Sequence, residues 1–146
     1  MTPILIGTLM MAATIAIHAV AAARWLEFVG RWHARKGSKG QDQHLFWSIL
    51  WTAMVLLVLH IVEANLWAIL YWNLPSHAGL ASFGQTVYFS MVSFSGLGYG
   101  DVVLSPEWGI MGPIEAMTGI VVFALTTALV ITVIQKCWKH SHGSQS

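Results

Sequence analysis

The sequence predicts an all-α membrane protein, and three observations carry that expectation. Hydrophobic residues make up 56% of the chain and charged residues 9%, where a soluble domain carries about 25% charged residues. Three apolar runs, residues 3–23, 45–72 and 113–137, each match or exceed the roughly 20 residues that cross a hydrocarbon core as helix. A further apolar stretch, 82–94, is long enough for about three helical turns but too short to cross. Three transmembrane helices plus one re-entrant helix with its loop are therefore expected.

The first run ends in "AVAAA", small residues of the kind cleaved behind a signal sequence. No Lys or Arg precedes it, the run exceeds a typical signal core, and the basic residues follow it. It is read as a retained helix. Arg24, Arg31, Arg35, Lys36 and Lys39 lie between the first two runs, and Lys136 and Lys139 follow the third. Placing the first loop and the C-terminus in the cytoplasm puts all of them inside, with the N-terminus outside, in a plasma membrane or a bacterial inner membrane. Trp25, Trp47 and Trp138 then mark inner helix ends, and Tyr71, Trp72 and Trp108 outer ones.

This organisation divides the chain into an N-terminal helix and basic loop (1–44), a unit of two spans with the re-entrant stretch between them (45–138) and a short polar tail (139–146). In so short a tail His140 and His142 are read as unstructured. A net charge of +1 gives no reason to expect nucleic acid, and the loop "RWHARKGSKG" suits anionic lipid instead. The lone cysteine, Cys137, excludes an intrachain disulfide and a thiolate metal cluster within one chain.

After the re-entrant helix "SFGQTVYFSMVSF" the chain must return through "SGLGYGD". Non-helical backbone at membrane depth is tolerated where it is packed in protein or lines a watery path. Gly96, Gly98 and Gly100 alternate with larger residues. A backbone whose successive carbonyls all face one axis alternates between left- and right-handed conformations, and the left-handed ones suit glycine. Such a strand presents oxygens that replace the water shell of a cation, and the helix before it aims its partially negative C-terminal end the same way.

These residues resemble the tetrameric potassium channels. "GLGYGD", residues 96–101, is similar to the filter of that family at Gly98, Tyr99, Gly100 and Asp101, with Leu97 a conservative replacement for valine. The resemblance covers about residues 45–135, the outer helix, pore helix, filter and inner helix. It implies a homotetramer that holds K⁺ on the backbone carbonyls of Gly96, Leu97, Gly98 and Tyr99 and needs no other cofactor. It also implies that Tyr88 and Phe89 form an aromatic cuff around the filter, that Val92 occupies the position of a filter-supporting glutamate or valine, that Asp101 braces the filter, and that Gly119 lies at the inner-helix hinge. Read from the residues alone, Asp101 also suits a cation-concentrating ring at the mouth, and Gly119 close helix packing.

Two features depart from the family pattern. Gly96 stands where a threonine usually contributes a hydroxyl to the innermost ion site, and the N-terminal helix is extra to the two-helix pore unit. The helix has no arginine before Arg24, so it is not a voltage sensor.

The expected function is passive K⁺ conduction without covalent chemistry: the sequence offers no nucleophile with a base and no strand-associated nucleotide loop. A weakly selective cation channel is the alternative, and a non-conducting membrane scaffold or an electron carrier the alternative of another class. His18, His60, Glu63 and Glu115 are polar groups inside the spans and so functional candidates. If the first helix ends near Arg24, His18 lies roughly 9 Å from that end and His60 roughly 20 Å from its own near Phe46. That difference in depth would keep the two rings from holding one haem. His60 and Glu63 share a helix face, Glu115 is expected to brace the filter, and Glu107 to sit solvated at the mouth. Thr126, Thr127 and Thr132 face a cavity or bond back to their own helix.

Overall fold

In the computed structural model, residues 1–35 and 41–142 are described. Lys36 and Lys39 lie outside the described residues, as do the side chains of 33–45 and of the C-terminal segment from Lys136 on, which takes in Cys137, Trp138, His140 and His142. Four α-helices follow one another: α1 (Thr2–Arg35), α2 (Gln41–Trp72), α3 (Phe83–Phe94) and α4 (Met111–His142). No strand occurs among the described residues. Thr2–Trp32, Phe46–Trp72 and Met111–Gln135 are long and apolar enough to cross a membrane. The protein is an all-α membrane protein.

The first helix overruns its apolar run. Past Ala23 the sequence "RWLEFVGRWHAR" contains no proline, and Glu27 and Arg31, one turn apart, approach to 3.9 Å on the exposed surface. The basic segment therefore continues the helix to Arg35, and 34 residues at about 1.5 Å each span some 50 Å, well beyond a core of about 30 Å.

Helix α3 starts where its cap dictates. The Gln85 amide donates to Ser82 Oγ at 3.2 Å, and the Ala81 amide donates to Gln85 Oε1 at 2.9 Å, so two amides without helical partners are satisfied reciprocally. Between α2 and α3 lies a compact turn, Pro75–Gly79, in which Ser76, His77 and Ala78 take φ of 50°, 50° and 56° and Gly79 takes 89°. Three non-glycine residues in the left-handed region are held from outside. The Ser105 amide donates to the Ala78 carbonyl at 2.8 Å, and the His77 ring stacks on Trp72 at 3.8 Å between centroids.

Helix α3 sits between α2 and α4, and α1 lies along α4 with a smaller contact to α2. The main core surrounds α3: Trp67, Tyr71, Phe89, Phe94, Met111 and Val122 are all buried. Two reciprocal bonds join α1 to α2. Trp67 Nε1 on α2 donates to Thr14 Oγ1 on α1, and Trp25 Nε1 on α1 donates to Thr52 Oγ1 on α2, both at 3.1 Å. Each threonine spends its own proton on a carbonyl one turn back, Met10 at 2.8 Å and Ser48 at 2.7 Å, leaving the oxygen free to accept.

Candidate functional site: the glycine loop and its supports

The loop after α3 is built by returning its amides to the helix it leaves. The Gly96 amide donates to the Ser93 carbonyl at 2.9 Å, and the amides of Leu97 and Gly98 both donate to the Val92 carbonyl, at 3.1 and 3.2 Å. Ser95 Oγ donates to that same carbonyl at 3.1 Å. By contrast, none of the carbonyls of Gly96, Leu97, Gly98 and Tyr99 accepts a hydrogen bond among the described residues. The first three amides of the loop are used and the carbonyls are left over, and a row of free carbonyl oxygens is what a dehydrated cation requires.

The dihedral pattern agrees. Gly96, Gly98 and Gly100 have φ of 73°, 56° and 75°, and the intervening Leu97 and Tyr99 stay out of the left-handed region. A Cβ added to any of the three glycines would meet nothing within 4 Å. Their requirement is therefore for the dihedral and not for space.

Tyr88, Phe89, Val92 and Asp101 make different contacts around the loop. Tyr88 Oη donates to Asp101 Oδ2 at 2.7 Å, tying the second turn of α3 to the loop's exit. This bond holds the exposed Asp101 carboxyl below the usual carboxylate range and raises the Tyr88 phenol above its own. Phe89 packs into the core and also borders the cleft beside the glycine loop. Its ring meets Tyr71 edge-on with centroids 5.3 Å apart, and a Cβ on Gly112 would lie 3.2 Å from its Cζ. Val92 acts through its carbonyl, as described above.

Glu115 braces α3 and not the loop directly. Its carboxyl group accepts from Tyr71 Oη at 2.7 Å, and Ser90 Oγ, with one proton to give, lies 2.5 Å from both Glu115 Oε1 and the Ala64 carbonyl. Helices α2, α3 and α4 are thus pinned at one buried point. Gly119 lies within the continuous helix α4, against the C-terminal end of α3, where an added Cβ would overlap the Phe94 carbonyl. Thr127 and Thr132 bond back to the carbonyls of Phe123 and Ala128. Glu107 is exposed.

One expectation is overturned. His18 and His60 are at the same depth, their rings stacked at 6° with centroids 5.4 Å apart. The error came from ending the first helix at Arg24. Measured from Arg35, His18 is 17 residues or about 26 Å along α1, and measured from Gln41, His60 is 19 residues or about 28 Å along α2. Both rings meet Glu63, His18 Nδ1 at 3.1 Å and His60 Nδ1 at 3.3 Å, and both meet Thr126 Oγ1 through Nε2, at 3.3 and 3.0 Å. The His60–Glu63 pairing was readable from their spacing, whereas the arrival of His18 and Thr126 depends on helix packing.

Two long helices that bracket a short capped helix and a loop of free carbonyls form an ion-conducting type of unit. A family model described as "Ion channel" (Ion_trans_2) matches residues 54–136, more than half of the 146 residues, and the chain belongs to that ion channel family. The matched residues take in α3, the glycine loop and most of α2 and α4; α1 precedes them. No curated protein and no solved structure matches the chain.

Proposed function

We propose that four copies of this chain form a potassium-selective channel in a plasma membrane or bacterial inner membrane, with K⁺ held by the carbonyls of Gly96, Leu97, Gly98 and Tyr99. The observation that carries this reading is the loop itself: alternate left-handed glycines, amides turned back to α3, and a run of carbonyls without partners. One strand cannot surround an ion, so rotational symmetry is needed to close the site. The exposure of Leu97, Tyr99 and Val103, at 57%, 67% and 65%, suits a surface that neighbouring copies cover. So does an open cleft of about 330 Å³ lined by Gly96, Gly98, Gly100 and Val103. Ion passage through such a pore needs no catalytic group, and the N-terminus lies outside with the C-terminus in the cytoplasm.

A weakly selective cation channel is the second reading, favoured by one observation: Gly96 has no hydroxyl, and its φ of 73° is one that a β-branched threonine resists. Flux of K⁺ into liposomes containing the purified protein, with Na⁺ as competitor, separates the two. Selective K⁺ uptake that is lost in Tyr99→Ala is the expected result; equal Na⁺ flux favours the second reading, and a monomeric protein in detergent with no flux of either ion overturns both.

A further inference from the structure

The cluster of His18, His60, Glu63 and Thr126 lies apart from the glycine loop, and nothing in conduction calls for it. We propose that His18, His60 and Glu63 form a binding site for one zinc-class divalent cation per chain, positioned by Thr126. One ligand atom from each of the three residues lies within 4.8 Å of the other two. Glu63 turns Oε1 to His18 Nδ1 at 3.1 Å and Oε2 to His60 Nδ1 at 3.3 Å. Tetrahedral coordination with bonds of about 2.0–2.1 Å places ligand atoms roughly 3.3 Å apart, and each ring nitrogen already lies near that distance from one of the two carboxylate oxygens. The two rings, stacked at 6° with centroids 5.4 Å apart, have to tilt toward each other and bring their nitrogens closer to converge on one ion. Two imidazoles and one carboxylate oxygen make three donor atoms, and a water would complete the four.

Hydrogen accounting shows that two neutral histidines alone do not complete the network. An ionised Glu63 flanked by two Nδ1–H groups leaves two Nε2 lone pairs facing Thr126, whose hydroxyl has one proton to give. One ring nitrogen then goes unpaired in a buried place. With a metal on the Nδ1 side the tautomers reverse: both Nε2–H groups donate to Thr126 Oγ1, which has two lone pairs to receive them. This is the outer-shell hydrogen bonding that fixes ring orientation at metal sites. The ion pairs of Glu63 among the described residues are with the two histidines, so its negative charge is left for a cation in the site to offset.

The surroundings are those of a fixed site. The side chains of His18 and Glu63 are 1% and 0% exposed, and the His60 ring stands edge-on to Phe123 at 4.7 Å. His60, at 9%, is the point of access. The ligands come from α1 and α2 and their orienting hydroxyl from α4, so the bound ion would join the helix outside the family match to the part within it.

Co²⁺ serves as a spectroscopic probe for zinc. Full-length protein, purified in detergent and freed of metal with a chelator, is titrated with Co²⁺ and then with Zn²⁺. The expected result is one Co²⁺ per chain with the intense visible bands of tetrahedral coordination, discharged by Zn²⁺. His60→Ala and Glu63→Gln should abolish the bands, and His77→Asn and the pair His140→Asn, His142→Asn should leave them. Thr126→Val keeps all three ligands and should weaken binding about 10–100-fold. Absence of tetrahedral bands in the wild-type protein overturns the proposal, with a proton as the occupant that completes the network instead. Bands that survive His60→Ala overturn it equally. The spectrum is read without ion flux, so its outcome is independent of whether the loop selects K⁺.

Discussion

The Tyr88 hydroxyl donates to the Asp101 carboxylate across 2.7 Å, and this bond is the side-chain link between α3 and the exit of the glycine loop. Because the bond depresses Asp101, whose ordinary value is 3.8, the carboxylate acceptor is present above the ordinary range and is lost only as pH falls through its lowered value. Raising of Tyr88 above its ordinary 10.0 keeps the donor protonated until strongly alkaline pH. Tyr88→Phe should therefore shift the acid loss of conduction to higher pH. Single-channel recordings of wild type and variant at stepped pH on the loop side check this, and superimposable acid limits would show that the bond does not hold the loop.

Substitution within the loop should fail for reasons of dihedral angle. The space beside Gly98 is open, yet its φ is 56°, so Gly98→Ala should cost about 1–2 kcal/mol per chain and abolish K⁺ occupancy. Gly96→Thr supplies a hydroxyl but meets the same resistance at φ 73°. It should destabilise the loop and alter permeation without simply adding an ion ligand. Ion density along the loop and reversal potentials in mixed K⁺ and Na⁺ report both effects.

Gly119 and Gly30 offer a contrast between two helical glycines. A Cβ at Gly119 would overlap the Phe94 carbonyl, which is backbone at the end of α3, whereas a Cβ at Gly30 meets nothing within 4 Å. Gly119→Ala should destabilise by about 1–3 kcal/mol through overpacking. Gly30→Ala should stabilise by about 0.4–1 kcal/mol. Thermal unfolding in detergent distinguishes them by sign, and equal shifts would mean that α3 moves away from α4 at little cost.

Removal of a donor from Glu115 should loosen the junction of α2, α3 and α4. Tyr71 and Glu115 are both 0% exposed, so Tyr71→Phe leaves a buried oxygen without its partner and should cost about 1–3 kcal/mol. Unfolding midpoints and proteolysis of the segment between α2 and α3 give the readout. A variant as stable as wild type would show that another donor takes over.

The spans and the short helix were legible because hydrophobic runs and a serine cap act locally. The stretch 82–94 differs from the observed Phe83–Phe94 by the cap residue Ser82 alone, and the alternate glycines carried their dihedral pattern in their spacing. The true end of α1 was not legible, because charge and an aromatic belt mark a membrane boundary and not a helix boundary; at Arg24 the helix simply passes from one to the other. That misplacement concealed the meeting of His18 with His60. The turn Pro75–Gly79 was hidden for a different reason. Its left-handed Ser76, His77 and Ala78 are imposed by the Ser105 amide and the Trp72 ring, and only Gly79 advertises such a conformation in the sequence. Phe89 reaches Tyr71 in the core while Tyr88 reaches Asp101, because α3 turns by about 100° per residue.

The pairing of Trp67 with Thr14 and of Glu63 with His18 bears on modularity. In each pair the group on α2 is buried and its partner belongs to α1, so excision of α1 would present an indole N–H and a carboxylate to hydrocarbon. The segment that carries the family signature has given up part of its own lipid-facing surface. It is no longer a freestanding cassette, and a chimera that transplants residues 54–136 alone inherits a polar scar that some other helix, lipid or substitution has to heal.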